Sequence, residues 1–196
     1  MPRLTVPFRP AALFVLLVAL VAGCVQAPVQ RPAEAPELGN FELAFNVVTA
    51  RDPSIGPISR VATEKEWQDA LSSAVAERLA GYKGGKFYHI GISIDGYALN
   101  AGGIPVLFNP RSLLQVGVTV WDDAAQRKIN EKPERLIVYE TASVDSVLVN
   151  TGLTKTKKEQ MDDLSEQAAD AVLKWLIENR EWFGAPPPPE EVVAFN

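Results

Sequence analysis

Apolar and polar residues alternate along four stretches of the chain, and each stretch predicts a β-strand with one buried face. The apolar positions of the first strand are Phe41, Leu43, Phe45 and Val47. The same alternation recurs in residues 86–95, 114–120 and 135–142. Because one side of each strand is apolar, the pattern indicates a mostly antiparallel four-stranded sheet that is covered on a single side.

Two segments carry apolar residues at the helical spacing of three and four, and both begin at a capping box of the S/T-x-x-E type. Thr63 opens the first helix, for which we expect about 17 residues with Trp67 and Leu71 facing the core. Thr156 opens the second, and its apolar stripe extends through about 27 residues to Trp182. The element order β-α-β-β-β-α therefore predicts an α+β two-layer sandwich with both helices on one face of the sheet.

This fold accounts for residues 40–184 as a single domain, and the proline-rich residues 185–196 are predicted to form a C-terminal tail. The N-terminal region has the order of a secretory signal, because Arg3 and Arg9 precede an apolar run of about 13 residues. That run is shorter than the roughly 20 residues that a membrane-spanning helix needs. Residues 1–23 are therefore predicted to be a signal peptide.

The signal ends in residues 20–24, Leu-Val-Ala-Gly-Cys, which resemble the lipobox of bacterial lipoproteins. The resemblance implies cleavage before Cys24 and attachment of lipid, including palmitate, to its sulfur. More than one acyl chain would anchor the protein stably in a membrane. Residues 24–39 would then be the lipidated cysteine and a proline-rich tether. Val25 stands where aspartate retains enteric lipoproteins at the inner membrane, so the resemblance favours the outer membrane, facing the periplasm.

Charge and composition exclude several classes of function. The 19 Lys and Arg are outnumbered by 24 Asp and Glu, and loss of Arg3 and Arg9 with the signal takes the net charge from −5 to −7. This balance argues against nucleic acid or an anionic membrane surface as the main partner. One cysteine and one histidine supply no zinc-type ligand set. We therefore expect no metal and no cofactor.

His89 is the one side chain that titrates near neutral pH. Ser93 and Asp95 follow it on the same face of the predicted strand, about 13 and 20 Å away, which is too far for a catalytic triad. A structural histidine is the favoured interpretation. The protein is accordingly predicted not to be an enzyme.

Two charged clusters leave alternatives open. Asp122 and Asp123 are interpreted as turn residues in preference to a carboxylate pair or a hard-metal site. Lys155, Lys157 and Lys158 lie just before the second long helix, where an anion on a glycan or lipid could bind. A solvated lysine run is the preferred interpretation.

The loop between the second and third predicted strands is irregular but apolar. If the apolar side chains of this loop project into solvent, they would form an exposed patch that contacts a partner. These side chains are Ile104, Val106, Leu107 and Phe108. The alternative is that the loop folds back over a sheet edge or the open sheet face.

The order of elements over residues 41–183 resembles, at the level of topology, that of the LptE-type lipoproteins, the TolB N-terminal domain and the CsgG-type secretion lipoproteins. The resemblance implies a scaffold or assembly role. We therefore predict a membrane-anchored, non-catalytic accessory or assembly subunit of an envelope complex, with an envelope protein as partner. The alternative is an envelope binding module for a lipid, glycan or small molecule on the uncovered sheet face. The sequence leaves the oligomeric state open.

Overall fold

The computed structural model describes residues 38–101, 111–141 and 155–187. Its elements in chain order are β1 (Phe41–Thr49), β2 (Ser54–Ile55), α1 (Glu64–Leu79), β3 (Lys86–Ala98), β4 (Leu113–Asp122), β5 (Arg127–Lys128), β6 (Glu134–Tyr139) and α2 (Lys157–Glu178). A short 3-10 helix, Arg180–Phe183, follows α2. The predicted α+β class is confirmed.

The four long strands form one mixed sheet in the order β1-β3-β4-β6. β1 pairs with β3 in parallel, whereas β3 with β4 and β4 with β6 are antiparallel. β2 and β5 have two residues each and pair with β3 and β4. The sequence pattern did not predict these two short strands, because two residues are too few to show an alternation.

Both helices begin at the capping boxes that the sequence predicts, with Thr63 and Glu66 opening α1 and Thr156 and Glu159 opening α2. In α1, Trp67 and Leu71 are fully buried as expected. The helices pack on each other, α1 packs on β1, and α2 packs on β6 and β4, so both lie on one face of the sheet. No helix in the described ranges is both long and apolar enough to cross a membrane.

The α-helical part of α2 is shorter than its apolar stripe predicts. It ends at Glu178, because the Asn179 side-chain amide donates a 2.8 Å hydrogen bond to the Trp175 carbonyl and the backbone leaves the helical region. The stripe continues into the 3-10 helix, where the Trp182 ring packs edge-on against Trp175 at 5.4 Å. Gly184 then ends the segment at φ 79°.

The core lies between the sheet and the helices. On the helix-facing side, the predicted apolar sets of β3 and β4 are all buried: Ile90, Ile92, Ile94, Leu114, Val116, Val118 and Val120. Phe41, Tyr88 and Phe183 close one end of this core with ring centroids 4.9–5.5 Å apart. At this end the chain enters and leaves the domain side by side, since the Asn40 amide donates a 2.9 Å hydrogen bond to the Phe183 carbonyl.

The predicted buried face of β1 is wrong beyond Leu43. Phe41 is buried and Leu43 partly buried, but Phe45 and Val47 are 67% and 57% exposed. The cause is a β-bulge, because the register with β3 skips Ala44. One extra residue reverses which side chains face the core.

Candidate functional site

The face of the sheet opposite the two helices is here called the open face, because no described helix packs on it. The strand register places these side chains on it: Phe45, Val47 and Thr49 of β1, Phe87, His89, Ser93 and Asp95 of β3, Gln115, Thr119 and Trp121 of β4, and Arg135, Ile137 and Tyr139 of β6. The strands therefore present two columns of apolar side chains at the outer edges of the sheet.

The open face holds most of the exposed large hydrophobic side chains in the described part of the chain. Eight large hydrophobic side chains are exposed there, and five of them lie on the open face, each 50–67% exposed: Phe45, Val47, Phe87, Ile137 and Tyr139. Scattered single residues of this kind need no explanation, but five of them on one face make it a candidate contact surface.

At one end of the open face, aromatic side chains occupy neighbouring positions on three strands. The Phe45 and His89 rings stack at a centroid distance of 5.4 Å and an interplanar angle of 5°. Trp121 is the cross-strand partner of His89. The His89 Nε2 atom lies 3.1 Å from Oδ1 of Asp123, so the carboxylate orients the imidazole. The histidine thus acts as part of an aromatic surface.

At the other end of the open face, β4 and β6 bring Leu113 and Tyr139 together as register partners, with Ile137 beside them. Ala98 of β3 pairs with Leu113 at the same end. The loop of residues 102–110 connects β3 to β4 in sequence, and the described chain stops at Ala101 and resumes at Arg111. The predicted contact residues of that loop lie outside the described residues: Ile104, Val106, Leu107 and Phe108.

Polar side chains separate the two apolar ends. The Ser93 hydroxyl donates a 2.9 Å hydrogen bond to Oδ1 of Asp95. Gly117 lies across from Ser93 and next to Arg135 in the register, and a Cβ at this glycine would lie 2.7 Å from the Ser93 Oγ atom. A side chain at Gly117 would therefore displace the serine from its carboxylate.

The catalytic alternative gains no geometric support in the described residues. Ser93 bonds to Asp95, and His89 bonds to Asp123, so the serine and the histidine have separate partners. Ser93 and His89 stand four residues apart on one strand, about 13 Å. The absence of enzymatic activity stays a prediction.

Asp122 and Asp123 diverge, in agreement with the turn interpretation. Asp122 accepts a 2.9 Å hydrogen bond from the Ala125 amide and lies 2.8 Å from the Lys86 Nζ atom. Burial raises the pKa of Asp122, but hydrogen bonds from Lys86 and the turn amides outweigh burial and leave the pKa below its usual range. Within the three described ranges, no group of three or more His, Cys, Asp or Glu side chains is placed to hold a metal ion.

The three lysines at the start of α2 each have an acidic partner, which the sequence did not reveal. Lys155 contacts Asp163 at 2.8 Å and Glu140 at 3.2 Å. Lys157 and Lys158 contact Glu66 and Asp162, both at 2.5 Å. Lys155 and Lys157 thus connect α2 to Glu140 and to α1, and Lys158 forms an ion pair within α2.

Sequence reasoning missed Phe45 and Val47 as surface residues. The signal was present, since Val47 and Val48 are adjacent apolar residues that break a strict alternation. In β6, Leu136 to Tyr139 are all apolar, a run typical of a strand that is covered on both faces.

Cys24, the predicted lipid attachment site, lies outside the described residues.

No family model matches the chain, and no curated protein matches it. Among solved structures, the chain is similar to a candidate lipoprotein of Caulobacter crescentus (13% identity, 77% of this chain and 95% of that chain, TM-score 0.40). It is also similar to a protein of Xanthomonas campestris (11% identity, 79% of this chain and 96% of that chain, TM-score 0.46). A third similar structure is that of a candidate homolog of a neuraminyllactose-binding hemagglutinin from Helicobacter pylori (10% identity, 81% of this chain and 95% of that chain, TM-score 0.41). These values are too low to transfer a function.

Proposed function

We propose that the protein is a lipid-anchored, non-catalytic accessory or assembly subunit of a bacterial envelope complex, and that the open face is its protein-docking surface. The observation that carries the proposal is the set of five large apolar side chains on a sheet face on which no described helix packs. Cys24, through its resemblance to a lipobox cysteine, supports the anchor, and Val25 after it supports the outer membrane. A subunit held at a membrane meets its partner repeatedly, so a modest apolar surface suffices for docking.

The shape of the open face favours a protein over a small molecule. Small-molecule sites are concave, with a few convergent polar groups. Two clefts in the described residues have linings that are mostly outside the open face, although Phe45 is among the lining residues of the first. One, of about 330 Å³, runs between the outer edge of β1 and α1, and the other, of about 530 Å³, lies between α1 and α2. A twisted sheet face with apolar ends instead matches another protein surface.

The test is a photo-crosslinking amino acid at position 47, in intact membranes. Val61 is the matched control, because it is a valine of similar exposure, 68% against 57%, in the loop before α1. We expect a covalent protein adduct from position 47 and none from position 61. Val47→Lys should reduce recovery of the adducted protein about tenfold in a pull-down, because a charge would replace an apolar contact, whereas Val61→Lys should not.

Equal adducts at both positions, or unchanged recovery with Val47→Lys, would contradict the docking surface. A lipid or glycan that co-extracts in stoichiometric amount without a protein adduct would favour the binding-module alternative. Thermal unfolding of both variants checks that each domain is folded, so that loss of binding is not loss of structure.

A further inference from the structure

The proposed docking surface is large enough for one particular occupant to be considered, a second copy of the chain. An aromatic side chain carries roughly 150–250 Å² of surface. At exposures of 67%, 50% and 55%, Phe45, Phe87 and Tyr139 together leave about 250–430 Å² of apolar area in water. Two copies would contribute twice that area, and Val47, Ile137 and the polar positions bring the sum toward the 1,200–2,000 Å² of a standard interface.

The charges of the open face suit a copy of itself. The register places Arg135 in the middle of the face, where Asp95 is held by Ser93, and it places Lys128 beside Trp121. Asp123 reaches the face at His89. Together with Glu42, the register partner of Phe87, and its ion-pair partner Lys83, the face has three carboxylates and three basic groups. In a two-fold interface the same surface meets itself, so a surface with one sign of charge would repel its copy. A surface that carries both signs of charge does not repel its copy in this way.

The distribution of polar and apolar groups agrees with the same occupant. Apolar side chains lie at both ends, and the hydrogen-bonded Ser93 and Asp95 lie between them. When two sheets pack face to face about 10 Å apart, their side chains interdigitate over the apolar areas. Asp95 of one copy and Arg135 of the other carry the opposite charges that a two-fold contact can pair.

We infer that two copies of this chain pack their open faces together, which gives a helix–sheet–sheet–helix dimer. This inference rests on the proposed function, because it names the occupant of the same docking surface. The two helical layers would then be the outer surfaces of the dimer, available to the rest of the complex.

The test uses the full chain in intact membranes and a bismaleimide crosslinker of about 10 Å reach, the expected spacing of the two sheets. Single-cysteine variants Val47→Cys, Thr119→Cys and Ile137→Cys sample the open face. Ser73→Cys is the control, since it is exposed on α1 in the opposite layer. The unmodified chain has no cysteine besides Cys24, so it reports background reaction.

We expect an adduct of twice the chain mass from at least one open-face variant, and none from Ser73→Cys or the unmodified chain. Two differently tagged copies should co-purify, and Phe45→Ser combined with Ile137→Ser should abolish this while the domain keeps its thermal unfolding transition. Adducts with a different protein only would overturn the dimer and leave the proposed docking surface intact. No protein adduct at any open-face position would overturn both.

Discussion

The Lys157 Nζ atom lies 2.5 Å from Oε1 of Glu66, and this contact joins the starts of the two helices. The other oxygen of the same carboxylate accepts a 2.8 Å hydrogen bond from the Thr63 amide in the capping box of α1. Lys157 is itself the first residue of α2. One carboxylate therefore caps one helix and fixes the position of the other.

The pH dependence of stability should reveal this contact. The Lys157 hydrogen bond, followed by those from Thr63, lowers the pKa of Glu66 to about 2. A depressed pKa stabilises the folded state above the unfolded value of 4.5, and that stability is lost as the pH falls from about 5 to about 2. Glu66→Gln should flatten the fall in unfolding free energy over this range, measured by urea denaturation.

At neutral pH the same variant should lose less than about 1 kcal/mol, because the pair is partly exposed. The cost should shrink further in a Lys157→Met background, since the partner is then absent. An equal cost in both backgrounds would show that the ion pair contributes nothing.

A second carboxylate holds the end of β6 against α2. Asp163 accepts hydrogen bonds from the Thr141 amide at 3.0 Å and hydroxyl at 2.9 Å, and it contacts Lys155 at 2.8 Å. Asp163→Asn should cost about 1–3 kcal/mol of unfolding free energy, because hydrogen bonds to a half-buried charge are lost. The neighbouring Asp162→Asn loses a contact with Lys158 only and should cost under about 0.5 kcal/mol. Similar losses of unfolding free energy in the two variants would contradict the stabilising role of Asp163.

Gly84 is predicted to be irreplaceable, because a Cβ there would lie 2.1 Å from the carbonyl carbon of Asn40. Its amide also donates a 3.0 Å hydrogen bond to the Phe41 carbonyl. Gly84→Ala should destabilise the domain by at least about 2 kcal/mol, since backbone would have to move. Gly81 has open space around its Cβ position, so Gly81→Ala should be neutral or slightly stabilising. Thermal denaturation of both variants compares them directly.

The apolar loop before β4 offers a further test. Replacing Leu107 and Phe108 with serine should leave the domain folded and abolish co-purification of the protein partner, if these side chains make the predicted contact. The exposed Ile58, changed to serine, is a control away from the loop. Unchanged co-purification, or loss of folding, would contradict the contact.

The membrane anchor is tested at Cys24. Cys24→Ser should remove palmitate labelling and release the protein from the membrane fraction, while circular dichroism of the domain stays the same. Labelling and fractionation like those of the parent chain would show that this cysteine carries no lipid.

Local signals predicted the helices well. Thr63 and Glu66 are three residues apart, and their hydrogen bonds form wherever that segment is helical. The buried face of β3 was likewise readable from Ile90, Ile92 and Ile94, because the strand has a regular register over that stretch.

Features that depend on distant neighbours could not be predicted. The bulge at Ala44 arises when β1 pairs with β3, and beyond the bulge the Asn46 side-chain amide donates a hydrogen bond to the Ser72 carbonyl 26 positions away. The His89–Asp123 and Glu66–Lys157 contacts join residues 34 and 91 positions apart. No spacing rule covers such pairs, and the open face therefore became visible only with the fold.

The hydrogen bond between Asn40 and Phe183 has a consequence for how the domain can be combined with other proteins. Chain entry and chain exit are neighbours, and a Cβ at Gly39 would lie 2.8 Å from the amide nitrogen of Ala185. A domain whose ends meet can be inserted into a surface loop of a host protein without stretching either partner. The domain can therefore be joined to a host protein at a single site on the surface of that host.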